Sequence, residues 1–121
     1  MATILVIDDE QKVRTVICSL LASQHIVIEA RNGKEGLFMY TKFLPDLIIT
    51  DLNMPVVTGL EVVRSVRSIR NSKPVKIIGL AASFSSSKAC SVMLEAGADV
   101  CLPKPTPTEK IRDAVTRLLA A

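Results

Sequence analysis

The chain has no tryptophan, one tyrosine and three phenylalanines among its 121 residues. A core stacked from aromatic rings is therefore excluded, and the apolar half of the composition must pack through Val, Ile, Leu and Ala. Aliphatic layers of that kind suit helices packed on a sheet. Cysteine is scarce: Cys18, Cys90 and Cys101 are odd in number and include no C-x-x-C pair. Neither a disulfide framework nor a zinc site follows from them, and ordinary thiols in a reducing cytosol are expected. No basic segment leads into an apolar one at the start, because Asp8, Asp9 and Glu10 interrupt the first apolar run. No apolar stretch reaches membrane-spanning length, so no membrane partner is expected. The net charge is only +3, too small a bias to suggest direct nucleic-acid binding. Long linkers, low-complexity segments and internal repeats are also missing, which points to one domain over residues 1–121.

Short aliphatic runs alternate with segments of helical period. Thr3 to Ile7 is a continuous β-branched run, as expected for a strand covered on both faces. Val13, Val16, Ile17, Leu20 and Leu21 then fall on one helix face. Further strands are predicted over His25–Ala30, Asp46–Thr50, Val75–Leu80 and Asp99–Leu102. The helices between them open at Asn32 and Thr58, each three residues before a glutamate, at Ser86 or Ser87, and at Thr106-Pro107-Thr108-Glu109. Gly97 suits the left-handed position that ends the fourth helix. Ser83 to Ser87 is the most polar loop and the one expected to move. Five βα units imply an α/β fold with a parallel sheet and right-handed crossovers.

In open parallel sheets, sites form beyond the carboxyl ends of the strands, where strand order reverses. Strand one ends in Asp8-Asp9, strand three in Asp51, and strand five in Lys104 between two prolines. A flavodoxin-like (βα)5 order of 2-1-3-4-5, with helices on both faces, makes strands one and three neighbours and gathers these groups. Two carboxylates about 4 Å apart repel by roughly 4 kcal/mol at an effective dielectric of 20. A hard divalent cation relieves that repulsion, and Mg2+ suits few carboxylates with retained waters. A carboxylate beside such an ion is a nucleophile for phosphorus, and the ion and a lysine screen the transferring oxygens. Each acid alone reads as a loop residue or cap, Glu10 included; the ordered set carries the signal.

Those residues resemble the receiver domains of two-component response regulators, especially the stand-alone chemotaxis type. The motifs are Val6-Ile7-Asp8-Asp9-Glu10, Asp51-Leu52-Asn53-Met54-Pro55 with Gly59, and Ala96-Gly97-Ala98-Asp99 leading to Pro103-Lys104-Pro105. The resemblance covers essentially the whole chain. It implies that Asp51 is the phosphoacceptor and that Lys104 contacts the phosphoryl group. It implies Mg2+ held by Asp9, Asp51 and the Asn53 carbonyl, with Asp8 acting through water, and the Ala82 N–H facing the phosphoryl group. The implied donor is a phosphohistidine on a sensor kinase or phosphotransfer protein. A downstream protein would dock on helix four, strand five and helix five, at Lys88, Cys101, Lys110 and Arg112. The implied setting is cytoplasmic, and the implied catalysis is limited to the domain's own phosphorylation and dephosphorylation. The peptide bond before Pro105 is often cis in this family.

Two positions depart from the family pattern. Ala81 stands where a Thr or Ser hydroxyl binds the phosphoryl group, and Cys101 where a Tyr or Phe ring follows that movement. A hydrogen bond to a charged group contributes roughly 1.5–3 kcal/mol, or about a 10- to 100-fold bias toward the active state. Asp51 is thus expected to accept phosphoryl while the conformational response is weak, with Ser83 two residues on as a partial substitute. Cys101 is expected to fill part of the space of the missing ring and not to act as a redox sensor. His25 reads as a surface or edge residue, and Arg64, Arg67, Arg70 and Lys73 as a solvated helix face. Two other readings stay open: a pseudo-receiver that binds partners without phosphorylation, and an aspartyl-phosphate hydrolase. The hydrolase reading lacks the second acid it needs, since Asn53 stands two residues after Asp51. A single-domain regulator and a receiver cut from a longer protein are equally compatible with the sequence.

Overall fold

The computed structural model describes residues 1–69, 73–82 and 86–121, except the side chains of residues 86 and 87. In chain order the elements are β1 (Thr3–Ile7), α1 (Gln11–Leu21), β2 (Ile26–Ala30), α2 (Gly33–Phe43), β3 (Leu47–Asp51), α3 (Gly59–Ser68), β4 (Lys76–Ala82), α4 (Ser86–Ala96), β5 (Val100–Lys104) and α5 (Thr108–Ala120). The sheet is parallel, in the order β2-β1-β3-β4-β5. The expected α/β architecture and strand order are therefore those observed. No helix among the described residues is long and apolar enough to cross a membrane.

β3 is buried along its whole length and β1 from Ile4 onward, as their unbroken aliphatic runs require. Alternate residues feed two cores. Leu5, Ile7, Ile48, Ile77 and Met93 lie in one, while Ile4, Val6, Ile49, Ile78 and Ile111 lie in the other. Each such side chain, fully withdrawn from water, stabilises the fold by about 1.5–3 kcal/mol.

Strand boundaries shift toward the carboxyl edge. β2, β3, β4 and β5 begin one residue later than the apolar runs suggest, and β3 to β5 continue further, so Asp51, Ala82 and Lys104 are the last residues of their strands. Apolar patterning ends where the ladder still has bonds to make, because a strand-end polar residue pairs through its main chain. Asn32 and Thr58 cap α2 and α3, accepting from the N–H groups of Glu35 and Glu61 at 2.8 and 3.2 Å. α5 differs: Pro107 occupies the cap position without a side-chain bond. Gly97 adopts φ 122° after α4. Residues 86 and 87 open α4, while their side chains, expected as caps, and residues 83–85 of the polar loop lie outside the described residues.

Two sequence readings are corrected. Cys90 and Cys101 are disulfide-bonded, so the expectation of three free thiols fails. The lack of a spacing motif concealed the pairing, which forms where α4 packs against β5. Arg67 is not part of a solvated face. Its guanidinium donates to the carbonyls of Val75 and Gly97 at 2.7 and 2.9 Å and pairs with Asp99 at 3.1 Å. It ties α3 to the entries of β4 and β5. Arg64 and Lys73 are exposed, and Arg70 lies outside the described residues.

Val56 sits at φ 68° and is 91% exposed. A left-handed backbone costs an L-residue about 1–2 kcal/mol, and asparagine tolerates it best after glycine. With no packing to lose, Val56→Asn is expected to raise stability by about 1 kcal/mol. Urea denaturation of the two chains checks this; an unchanged or lower midpoint would contradict it.

Candidate functional site

Asp8, Asp51 and Lys104 meet at the carboxyl edge of the sheet. Adjacent β1 and β3 bring up the acids, and β5 delivers the lysine from across β4. Lys104 Nζ lies 2.9 Å from Asp8 Oδ2, 3.3 Å from Asp51 Oδ2 and 3.4 Å from Glu10 Oε1. Asp8 and Asp51 are almost fully buried, at 1% and 3% exposure. Burial at that level is tolerated only with a counter-charge, and Lys104 provides it to both.

The main chain fixes the carboxylates. Asp8 Oδ1 accepts from the Glu10 N–H at 2.8 Å, and Asp51 Oδ1 accepts from the Asn53 N–H at 3.2 Å. Gly59 packs against the backbone of Asp51 and Leu52, and its N–H donates to the Leu52 carbonyl at 3.0 Å. The Lys104–Pro105 peptide bond is cis.

Burial raises the Asp51 pKa, and the nearby Asp8 charge raises it further. Lys104 and the Asn53 N–H offset only part, leaving it at about 6. For Lys104, burial opposes the charged form. The hydrogen bond to Asp8 and the charges of Asp51 and Asp8 outweigh it, so its pKa rises above the usual lysine value.

Asp9 is exposed and forms, with Asp8 and Glu10, a group of carboxylate oxygens within 4.8 Å of one another. Hard oxygen donors at one strand end fit a hard divalent cation. Asn53 is exposed beside Asp51, and Ala82 is half-buried at the end of β4. Asp51, Asn53, Ala82, Glu10 and Lys104 line an open cavity of about 590 Å³ that extends toward Val16 on α1. Ala81 is fully buried and stands opposite Pro103 in the ladder. His25 lies outside this group, accepting through Nδ1 from the Ala2 N–H at 3.1 Å.

Two residues gain a role that sequence reasoning did not assign. Glu10, the exposed N-cap residue of α1, also reaches Lys104 with its carboxylate. Arg14 is 8% exposed; its Nη1 donates to the Asp8 carbonyl at 2.7 Å and its Nε pairs with Glu29 at 3.2 Å. The clue was its spacing: positions 14, 17 and 21 share one helix face, and all three are buried.

A family model described as "Response regulator receiver domain" matches residues 4–116. "Response regulator MprA" of Mycolicibacterium vanbaalenii is 35% identical over 117 residues, which is 96% of this chain and 49% of that protein. The chain spans about half the length of the curated relatives it matches. Among solved structures, chemotaxis protein CheY4 of Vibrio cholerae superposes with a TM-score of 0.88 at 32% identity, covering 98% of both chains. A putative response regulator from Chloroflexus aurantiacus J-10-fl superposes at 0.92 with 30% identity, covering 99% of this chain and 98% of that one.

Proposed function

The chain belongs to the response regulator receiver domain family, and from that premise we propose that Asp51 accepts a phosphoryl group from a phosphohistidine of a sensor kinase or phosphotransfer protein. The observation that carries this reading is a single ammonium, Lys104, held within 2.9 Å of Asp8 and 3.3 Å of Asp51 at the edge of an open cavity. An Asp51 carboxylate oxygen attacks phosphorus, the phosphorus–nitrogen bond breaks, and imidazole leaves as the acyl phosphate forms. Lys104 is already placed to screen the transferred oxygens. Its contacts with Asp8 and Glu10 keep it there whichever oxygen of Asp51 reacts. With Ala82 on the cavity wall, its main-chain N–H is assigned to a phosphoryl oxygen.

Asp9, Asp51 and the Asn53 carbonyl would hold Mg2+, with Asp8 acting through water and Glu10 beside it. When bound, the ion neutralises charge that develops on the phosphoryl oxygens. Water attack on the acyl phosphate would end the signal, so the chemistry is confined to the domain's own Asp51. We assign the domain to the cytoplasm and its output to a protein docking on α4, β5 and α5, where Lys88, Lys110 and Arg112 are exposed.

Incubation with Mg2+ and acetyl phosphate or phosphoramidate is expected to add one phosphoryl mass. Asp51→Asn should remove it, and Lys104→Ala should slow its appearance by about 100-fold, the equivalent of roughly 3 kcal/mol from one charged contact. No adduct with any donor, a phosphohistidine protein included, would favour the pseudo-receiver. Ala81, which offers no hydroxyl, and Cys101, bonded to Cys90, favour a weak or rerouted conformational response even after phosphorylation.

A further inference from the structure

Cys90 lies in α4 and Cys101 in β5, eleven residues apart in sequence, with their Cα atoms 5.4 Å apart. That spacing is within the range a disulfide spans without backbone movement. Packing around the pair accounts for it. In the ladder Cys101 stands opposite Gly79. Gly79 leaves room for the end of the Met93 side chain, whose Cε would lie 2.5 Å from a Cβ there. Cys101 itself packs against the core cluster that contains Met93. The thiols are thus brought together by the fold, on β5, the last strand in the order beside β4. Both residues are half-buried.

On the cytoplasmic assignment above, on which this inference rests, the compartment is reducing, and a disulfide there is seldom a fixed support; where one forms it is usually transient and regulatory. We propose that Cys90 and Cys101 form a reversible redox-modification site, oxidised by thiol–disulfide exchange with a low-molecular-weight disulfide such as oxidised glutathione. One protein thiolate attacks a sulfur of the small disulfide and releases one small thiol, leaving a mixed disulfide. The second protein thiolate then attacks the protein-side sulfur and releases the other small thiol. Two electrons pass from the protein sulfurs to the reagent, and the two protons leave on the small thiols. Excess reduced glutathione runs the sequence backwards.

The consequence is local. Closing so short a loop removes opened states of α4 by roughly 100-fold, on the face that the phosphoryl signal would otherwise have to move. Cys18 does not compete. It belongs to α1 and packs with the opposite core, and burial and the Glu29 charge, partly countered by Arg14, push its thiol up to about 11. The site needs no phosphoryl group, so its test stands apart from that of Asp51.

The whole chain is equilibrated at pH 7.5 in glutathione buffers of graded oxidation. It is then quenched in acid, unfolded, alkylated and weighed, and its peptides are mapped. The expected result is one two-electron transition between three alkylated cysteines and one, with the linked peptide joining Cys90 to Cys101. Cys90→Ser and Cys101→Ser should each abolish it, and the unsubstituted chain alone still decides the matter if they fail to fold. Amide exchange over residues 86–96 should be about 100-fold slower in the oxidised form. Three accessible thiols at the oxidised limit would overturn the proposal. So would a bond that native protein never loses at the reduced limit, or equal exchange in the two forms.

Discussion

In metal-free buffer at pH 7.5, Asp51→Asn is expected to stabilise the fold by about 2–3 kcal/mol, a gain that disappears near pH 4. The folded Asp51 has its pKa raised from 3.8 to about 6 by burial and by Asp8, with Lys104 only partly compensating. Two units correspond to about 3 kcal/mol against the charged form. Because the folded chain holds this proton more tightly than the unfolded chain, folding is favoured by acid at this group. The penalty is absent below pH 4, grows as pH rises to 6 and is complete above that. Asparagine keeps the shape without the charge and leaves Lys104 its contacts with Asp8 and Glu10. Urea titrations of both chains in EDTA at the two pH values measure the difference. An asparagine variant that is less stable at pH 7.5 would mean that the Lys104–Asp51 pair outweighs the burial. Mg2+ should narrow the gap, since a ligand bound only by the folded state stabilises it by mass action.

Gly59→Ala is expected to destabilise by about 2–4 kcal/mol despite alanine's better helix propensity, which offers at most about 1 kcal/mol. The added Cβ would overlap the Asp51 carbonyl oxygen and come within 2.7 Å of Leu52 Cα. Both are main-chain atoms beside the Asp51 carboxylate, so no side-chain rotation relieves them. Relief requires the start of α3 and the end of β3 to separate, which displaces the Asp51 main chain. Phosphoryl uptake should therefore fall together with the urea midpoint. A variant with unchanged midpoint and uptake would show that α3 shifts at little cost.

The motifs around Asp8, Asp51 and Lys104 were legible because each lies within a few residues of an aliphatic run, and such a run in a parallel sheet has one reading. Arg14 and Arg67 were not. Each is a charge on a helix face, and only the neighbouring carbonyls make one a support for Asp8 and the other a clamp on β4 and β5. Glu10 is a similar case. Its sequence neighbours suggested a loop residue or cap, and the contact comes from Lys104, 94 residues away. The Cys90–Cys101 bond is the plainest example, since scattered cysteines without a spacing motif carry no pairing information.

Local patterning by itself determined the βα alternation and the strand-end acids, because periodicity and turn chemistry act within a few residues, and the hydroxyl missing at Ala81 is what the family resemblance implied. The tertiary structure alone decided the raised pKa of Asp51, the roles of the two arginines, and the link from α4 to β5. Those depend on burial and on contacts between distant segments, and neither quantity exists until the sheet is assembled.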